Sequence, residues 1–72
     1  MEFVNIHTEF ITLGQLLKLK KIIDTGGQAK HFLQENDVWV NGEKENRRGR
    51  KLYPNDRIRI QNYGEYQIIG NQ

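Results

Sequence analysis

Three runs between Thr25 and Lys51 decide the fold: Thr25-Gly26-Gly27-Gln28-Ala29-Lys30, Val38-Trp39-Val40-Asn41-Gly42, and Lys44-Glu45-Asn46-Arg47-Arg48-Gly49-Arg50-Lys51. The first has the capping-box form of a helix start, in which a Thr hydroxyl and a Gln side chain three positions on satisfy each other's backbone N–H groups. In the second the period turns from helical to alternating, with Val38 and Val40 on one side and Trp39 on the other. Asn41-Gly42 is a favoured pair for a two-residue type I′ hairpin, because both central positions need positive φ. The hairpin returns through Glu43-Lys44-Glu45 and feeds the cationic third run. A glycine-softened helix start, a hairpin and a basic loop this close in sequence can share one surface, and that combination suits phosphate backbones.

Outward from this stretch, Ala29, Phe32 and Leu33 make the inward stripe of helix two, with Lys30, His31, Gln34 and Glu35 toward solvent. Asn36 is expected to close that helix in the left-handed conformation. Upstream, Thr12-Leu13-Gly14-Gln15 repeats the capping-box form, and Leu13, Leu16 and Leu17 give helix one an apolar face, with Lys18 and Lys21 on its flank. This helix is expected to end near Lys20. Gly14 costs roughly 1 kcal/mol of helix propensity against Ala, which marks a close approach of another backbone. Ile22-Ile23-Asp24 links the helices, and Glu2-Phe3-Val4-Asn5-Ile6 reads as an edge strand. Downstream, Tyr53-Pro54-Asn55-Asp56 is a turn and Arg57-Ile58-Arg59-Ile60-Gln61 an alternating strand with the isoleucines inward. Asn62-Tyr63-Gly64 turns again before a last strand at Tyr66-Gln67-Ile68. The expected class is α+β, two short helices packed on a small, mainly antiparallel, twisted sheet in a single domain over 1–72.

Composition bounds what such a domain can do. A chain of 72 residues buries only about 60% of its unfolded surface, so the core is thin and a deep pocket is not expected. With no Cys, disulfides and thiolate metal sites are excluded. No basic leader precedes an apolar run, and no stretch approaches the roughly 18 apolar residues of a membrane span, so a soluble cytoplasmic protein without membrane partners is expected. The net charge is only +2, but it is unevenly placed. Residues 1–37 carry four basic and five acidic side chains, whereas residues 38–72 carry seven basic and four acidic. A local cationic patch, which in other contexts is merely a solvated loop, therefore says more than the total.

Catalysis finds no support. There is no Cys nucleophile, no metal-ligand spacing around His7 and His31, no P-loop and no nucleophile elbow. No enzyme activity, cofactor or small-molecule substrate is expected. Double-stranded DNA binding lacks a recognition helix carrying several base-reading side chains. The competing reading is a protein-interaction module acting through the edge strand Phe3-Val4-Asn5-Ile6 or through Trp39.

The order Leu13…Leu16-Leu17-Lys18, Thr25-Gly26-Gly27-Gln28-Ala29-Lys30, Val38-Trp39-Val40-Asn41-Gly42 and Tyr53-Pro54-Asn55-Asp56-Arg57-Ile58-Arg59-Ile60 resembles the ribosomal protein S-four-type RNA-binding domain, or alpha-L motif, over residues 11–60. Size and the extra N-terminal strand make the chain most similar to stand-alone bacterial YaaA-like members. The resemblance implies a non-catalytic, ribosome-associated protein that recognises structured RNA, ribosomal or tRNA-like, through a basic surface built from both helices and the adjoining loop. It departs from the family at Thr12-Leu13-Gly14, where many members have Arg-Leu-Asp, so a basic contact at position 12 does not carry over.

The candidate RNA-binding residues follow. Thr25, Gly26, Gly27 and Gln28 offer backbone N–H groups at a helix start, with Lys30 about one turn in. Lys44, Arg47, Arg48, Arg50 and Lys51 can meet several phosphates, Arg with a planar fork, and Lys18, Lys20 and Lys21 add charge nearby. Trp39 has two open readings, stacking on an unpaired base or packing on the sheet or the N-terminal strand.

Overall fold

Asn41 and Gly42 adopt φ of 52° and 85°, the paired left-handed conformation of a type I′ turn, and fold strand β3 (Val38–Val40) back on β4 (Glu43–Lys44). The Asn41 side chain fastens this turn to the rest of the sheet. Its Nδ2 donates to Asp56 Oδ1 at 2.9 Å and its Oδ1 accepts from the Arg57 N–H at 2.9 Å. The computed structural model describes residues 1–70, so Asn71 and Gln72 of the expected 1–72 domain lie outside the described residues.

The remaining elements are β1 (Glu2–Ile6), β2 (Ile11–Thr12), α1 (Leu13–Leu19), a 3₁₀ turn (Gly26–Gln28), α2 (Ala29–Glu35), β5 (Lys51–Leu52), β6 (Arg57–Ile60) and β7 (Gly64–Gly70). The main sheet has the order β1-β7-β6-β3-β4. Every pairing in it is antiparallel except β1 with β7, which is parallel in the register Glu2 with Tyr66 through Ile6 with Gly70. The edge position expected for the N-terminal strand is therefore observed. Strands β2 and β5 form a separate two-stranded sheet, which the sequence does not announce because each strand is only two residues long.

Strand alternation sends Val4, Ile6, Val38, Val40, Ile58, Ile60, Tyr66 and Ile68 to one face, where they meet Leu13, Leu16 and Leu17 of α1 and Ala29 and Leu33 of α2. All of these are buried. Both helices cover this single face, and among the described residues the opposite face of the sheet carries no helix. The α+β class, with two short helices on a mainly antiparallel sheet, is thus the observed one.

Two ends differ from expectation. Asn36 is extended, with φ −128° and ψ 141°, and its side-chain Nδ2 donates to the Phe32 carbonyl at 3.0 Å. The amide caps the helix from an extended backbone, so no left-handed residue is needed there. The left-handed closure belongs instead to α1. Lys21 has φ 59°, and the bonds Ile22 N–H to Leu17 carbonyl (2.9 Å) and Lys21 N–H to Lys18 carbonyl (3.0 Å) form a Schellman motif with a lysine in the glycine position. Trp39 does not reach the N-terminal strand, because β7 and β6 stand between β1 and β3.

Candidate nucleic-acid interface

The loop from Glu45 to Arg50 is tied to the start of α1 by backbone. Leu13 N–H donates to the Arg50 carbonyl and Gly14 N–H to the Arg48 carbonyl, each at 2.8 Å. The capping box adds Gln15 N–H to Thr12 Oγ1 at 3.2 Å and Thr12 N–H to Gln15 Oε1 at 2.8 Å. The first N–H groups of α1, which an isolated helix leaves without partners, are therefore occupied by the loop and by Thr12. A Cβ on Gly14 would lie 3.3 Å from the Arg48 carbonyl oxygen and 3.6 Å from Ala29 Cβ. The close approach expected at Gly14 is present, and it draws the loop and both helices together.

Glu45 organises the loop from inside. Its side chain is buried at 6% exposure, and its carboxylate accepts five hydrogen bonds. Two come from the Asn46 and Arg47 backbone N–H groups, two from Arg47 Nε and Nη2 at 2.9 and 3.0 Å, and one from Arg50 Nη1 at 2.8 Å. The two-pronged Arg47 contact is the planar geometry in which guanidinium and carboxylate match best. Hydrogen bonding to Arg47, aided by Arg50, outweighs the cost of burial and lowers the Glu45 pKa from 4.5 to about 2, while Glu45 raises that of Arg47. Reading the tract by its positive sum misses Glu45. The available signal is an acid inside a basic run, directly after a strand whose alternation can turn it inward.

With the loop fixed, Thr12, Gln15, Lys18, Gly26, Arg48 and Gly49 line one open groove of about 350 Å³. A second, lined by Arg47, Gly49, Arg50, Lys51 and Tyr53, shares Gly49 with it. Together they make one continuous basic tract along α1 and the loop. A Cβ added at Gly26 or Gly49 would meet nothing within 4 Å, and neither residue has a positive φ. Neither glycine is required for the turn it occupies, and both leave bare backbone at the groove surface. Gln28 anchors the adjacent turn, its Oε1 accepting from Asp24 N–H at 2.7 Å and Thr25 N–H at 3.0 Å.

Other expected contact residues stand apart from this tract. Lys20 pairs with Glu2 on β1, its ammonium 5.8 Å from the Tyr66 ring centroid, and Lys44 pairs with Asp37 at 3.0 Å. Lys21, Thr25, Gly27 and Lys30 are exposed but line neither groove. Lys51 is placed by an aromatic pair: its Nζ lies 4.8 Å from the Phe10 centroid, and Phe10 packs against Tyr53 at 5.7 Å. Among the described residues no carboxylate lies within ion-pair distance of Arg48 or Lys18. They are therefore the available cations of the first groove. No helix of the described residues is long and apolar enough to cross a membrane.

The small α+β class is the one expected above, the loop's place across the start of α1 is a finding of the structure, and comparison agrees with the class. The S4 domain profile matches residues 4–69, and the chain belongs to that family. Its relatives include the probable ribosome maturation protein RlbA of Bacillus subtilis (strain 168), which is 53% identical over 66 residues, spanning 92% of this chain and 93% of the relative.

Proposed function

We propose that the protein is a non-catalytic RNA-binding factor of the ribosome, gripping structured ribosomal RNA along the tract formed by α1 and the Glu45–Arg50 loop. One observation carries the reading: the Gly14–Arg48 backbone bond places Lys18, Arg48 and the open backbone of Gly26 and Gly49 in one groove. Exposed cations around bare backbone suit phosphates, and the shallow tract suits the shape-based reading of folded RNA. Ribosomal RNA is favoured over a tRNA-like partner because the relative RlbA is described as a ribosome maturation protein.

The test is binding of a structured ribosomal RNA fragment over a series of salt concentrations. If Lys18, Arg48, Lys51 and the outer edges of Arg47 and Arg50 neutralise four or five phosphates, log K falls with log salt at a slope of roughly −3 to −4. A slope near zero sinks the mechanism.

A further inference from the structure

The face of the sheet turned away from the helices holds a second cluster that the loop tract does not use. Cross-strand register sets Trp39 opposite Arg59, and Arg59 opposite Glu65, on three adjacent strands. Arg57 lies on the same face two positions along β6. The Arg59 guanidinium carbon sits 4.1 Å from the Trp39 ring centroid, a stacking distance. A hollow of about 480 Å³ opens beside this pair, lined by Trp39, Asn41, Gly42, Arg57, Arg59 and Glu65. Among the described residues neither Arg57 nor Arg59 has a carboxylate within ion-pair distance, and both are exposed.

We infer that this face is a second binding surface, for an unpaired nucleotide of a single-stranded RNA segment. A base is flat and polarisable, and it stacks on an aromatic ring or on a guanidinium plane. The Trp39–Arg59 stack presents both in one column. Arg57, free of any acidic partner among the described residues, stands where the phosphate of the stacked nucleotide needs a cation, and the Asn41 and Gly42 turn closes the end of the hollow. Charge decides the class of occupant. Two unpaired arginines against Glu65 leave the face positive around its aromatic centre, which complements a polyanion carrying aromatic bases. This surface lies on the opposite side of the sheet from the loop tract, so an RNA held by the loop can place an unpaired segment here only by passing the sheet margin. The two surfaces therefore fail separately.

Trp39 is the one tryptophan of the chain, so its fluorescence reports on this surface alone. The experiment titrates the protein at low salt with a single-stranded ten-nucleotide oligoadenylate, and in parallel with an RNA duplex of the same length. Saturable quenching by the single strand, absent or much weaker with the duplex, is expected. Loss of a base stack costs on the order of 10-fold or more in affinity. The double variant Arg57→Gln with Arg59→Gln should therefore weaken the single strand at least that much, while Arg48→Glu leaves the quench within about twofold. Circular dichroism checks that each variant is folded. If the double variant does not fold, Trp39→Ala against Trp39→Phe, read by anisotropy of a labelled oligoadenylate, replaces it, with loss expected for Ala and retention for Phe. No saturable quench, or a quench abolished by Arg48→Glu and kept by the double variant, overturns the proposal. So does self-association in sedimentation that the double variant removes, since the face then belongs to a second copy of the chain.

Discussion

The N–H of Gly14 donates to the carbonyl of Arg48 at 2.8 Å, at a point where any Cβ on residue 14 would press on that same oxygen at 3.3 Å. The glycine is thus the hinge pin between α1 and the basic loop. Gly14→Val should lower stability by about 1–3 kcal/mol, the usual range for forcing atoms into packed space, despite valine's better helix propensity. The displaced loop should also bind structured RNA less tightly. Chemical denaturation and RNA titration of the same variant check both outcomes.

Glu45 makes stability depend on acid. Its folded pKa of about 2 lies below the ordinary 4.5, so the folded state holds the carboxylate more strongly than the unfolded chain does. The contribution is fully present above about 4.5 and is lost as pH falls from there toward 2. Discounted for the exposed Arg47, it amounts to roughly 1–3 kcal/mol. Urea melts between pH 6 and pH 2 should show this decline, and Glu45→Gln should be less stable at pH 6 with a flatter profile below 4.5.

Arg48 and Lys44 belong to the same basic run but should behave differently. Arg48 is exposed beside the groove with no acidic partner among the described residues, whereas Lys44 is engaged by Asp37 at 3.0 Å. Arg48→Glu should weaken structured-RNA binding several-fold and lessen the salt slope by about 1. Lys44→Ala should leave both nearly unchanged. Anisotropy titrations at three salt concentrations separate them.

Lys21 closes α1 at φ 59°, a conformation that costs a side-chain-bearing residue roughly 1 kcal/mol and glycine almost nothing. Lys21→Gly should therefore raise stability by about 0.5–1 kcal/mol, visible as a Tm increase of several degrees in a domain this small. RNA affinity measured on the same variant shows whether the Lys21 charge contributes. A fall in Tm would mean that the lysine stem contributes more through packing than the backbone strain costs.

Elements governed by local chemistry are legible in the sequence. Asn41-Gly42 allows one favoured turn, the Thr12–Gln15 spacing one cap, and the isoleucines of β6 one inward face. The close approach at Gly14 is legible too, because a glycine in the first turn of a helix calls for a reason. What escapes is set by partners distant in the chain. The β2–β5 pair exists because the loop bonds to α1, and no two-residue strand announces that. Glu45 reads as one more surface charge until Arg47 and Arg50 close around it. The candidate cations are identifiable by type, but which of them face the groove depends on Glu2 and Asp37, acids that hold Lys20 and Lys44 elsewhere. Asn36 misleads because its side-chain amide joins its backbone N–H on the Phe32 carbonyl from an extended backbone, with no left-handed turn.

The parallel pairing of β1 with β7 also fixes how the domain comes into being. Glu2 lies far from Tyr66 in the sequence, yet the two are neighbours in the sheet, and β7 can pair with β6 across a short turn but needs the distant β1 to satisfy its other side. Nearly the whole chain is the loop that this encounter closes, a long-range contact of the kind that slows folding. The sheet is therefore completed only when β7 meets β1. Until then the two helices have only part of the apolar sheet face they pack on, because Tyr66 and Ile68 of β7 and Val4 and Ile6 of β1 belong to that face.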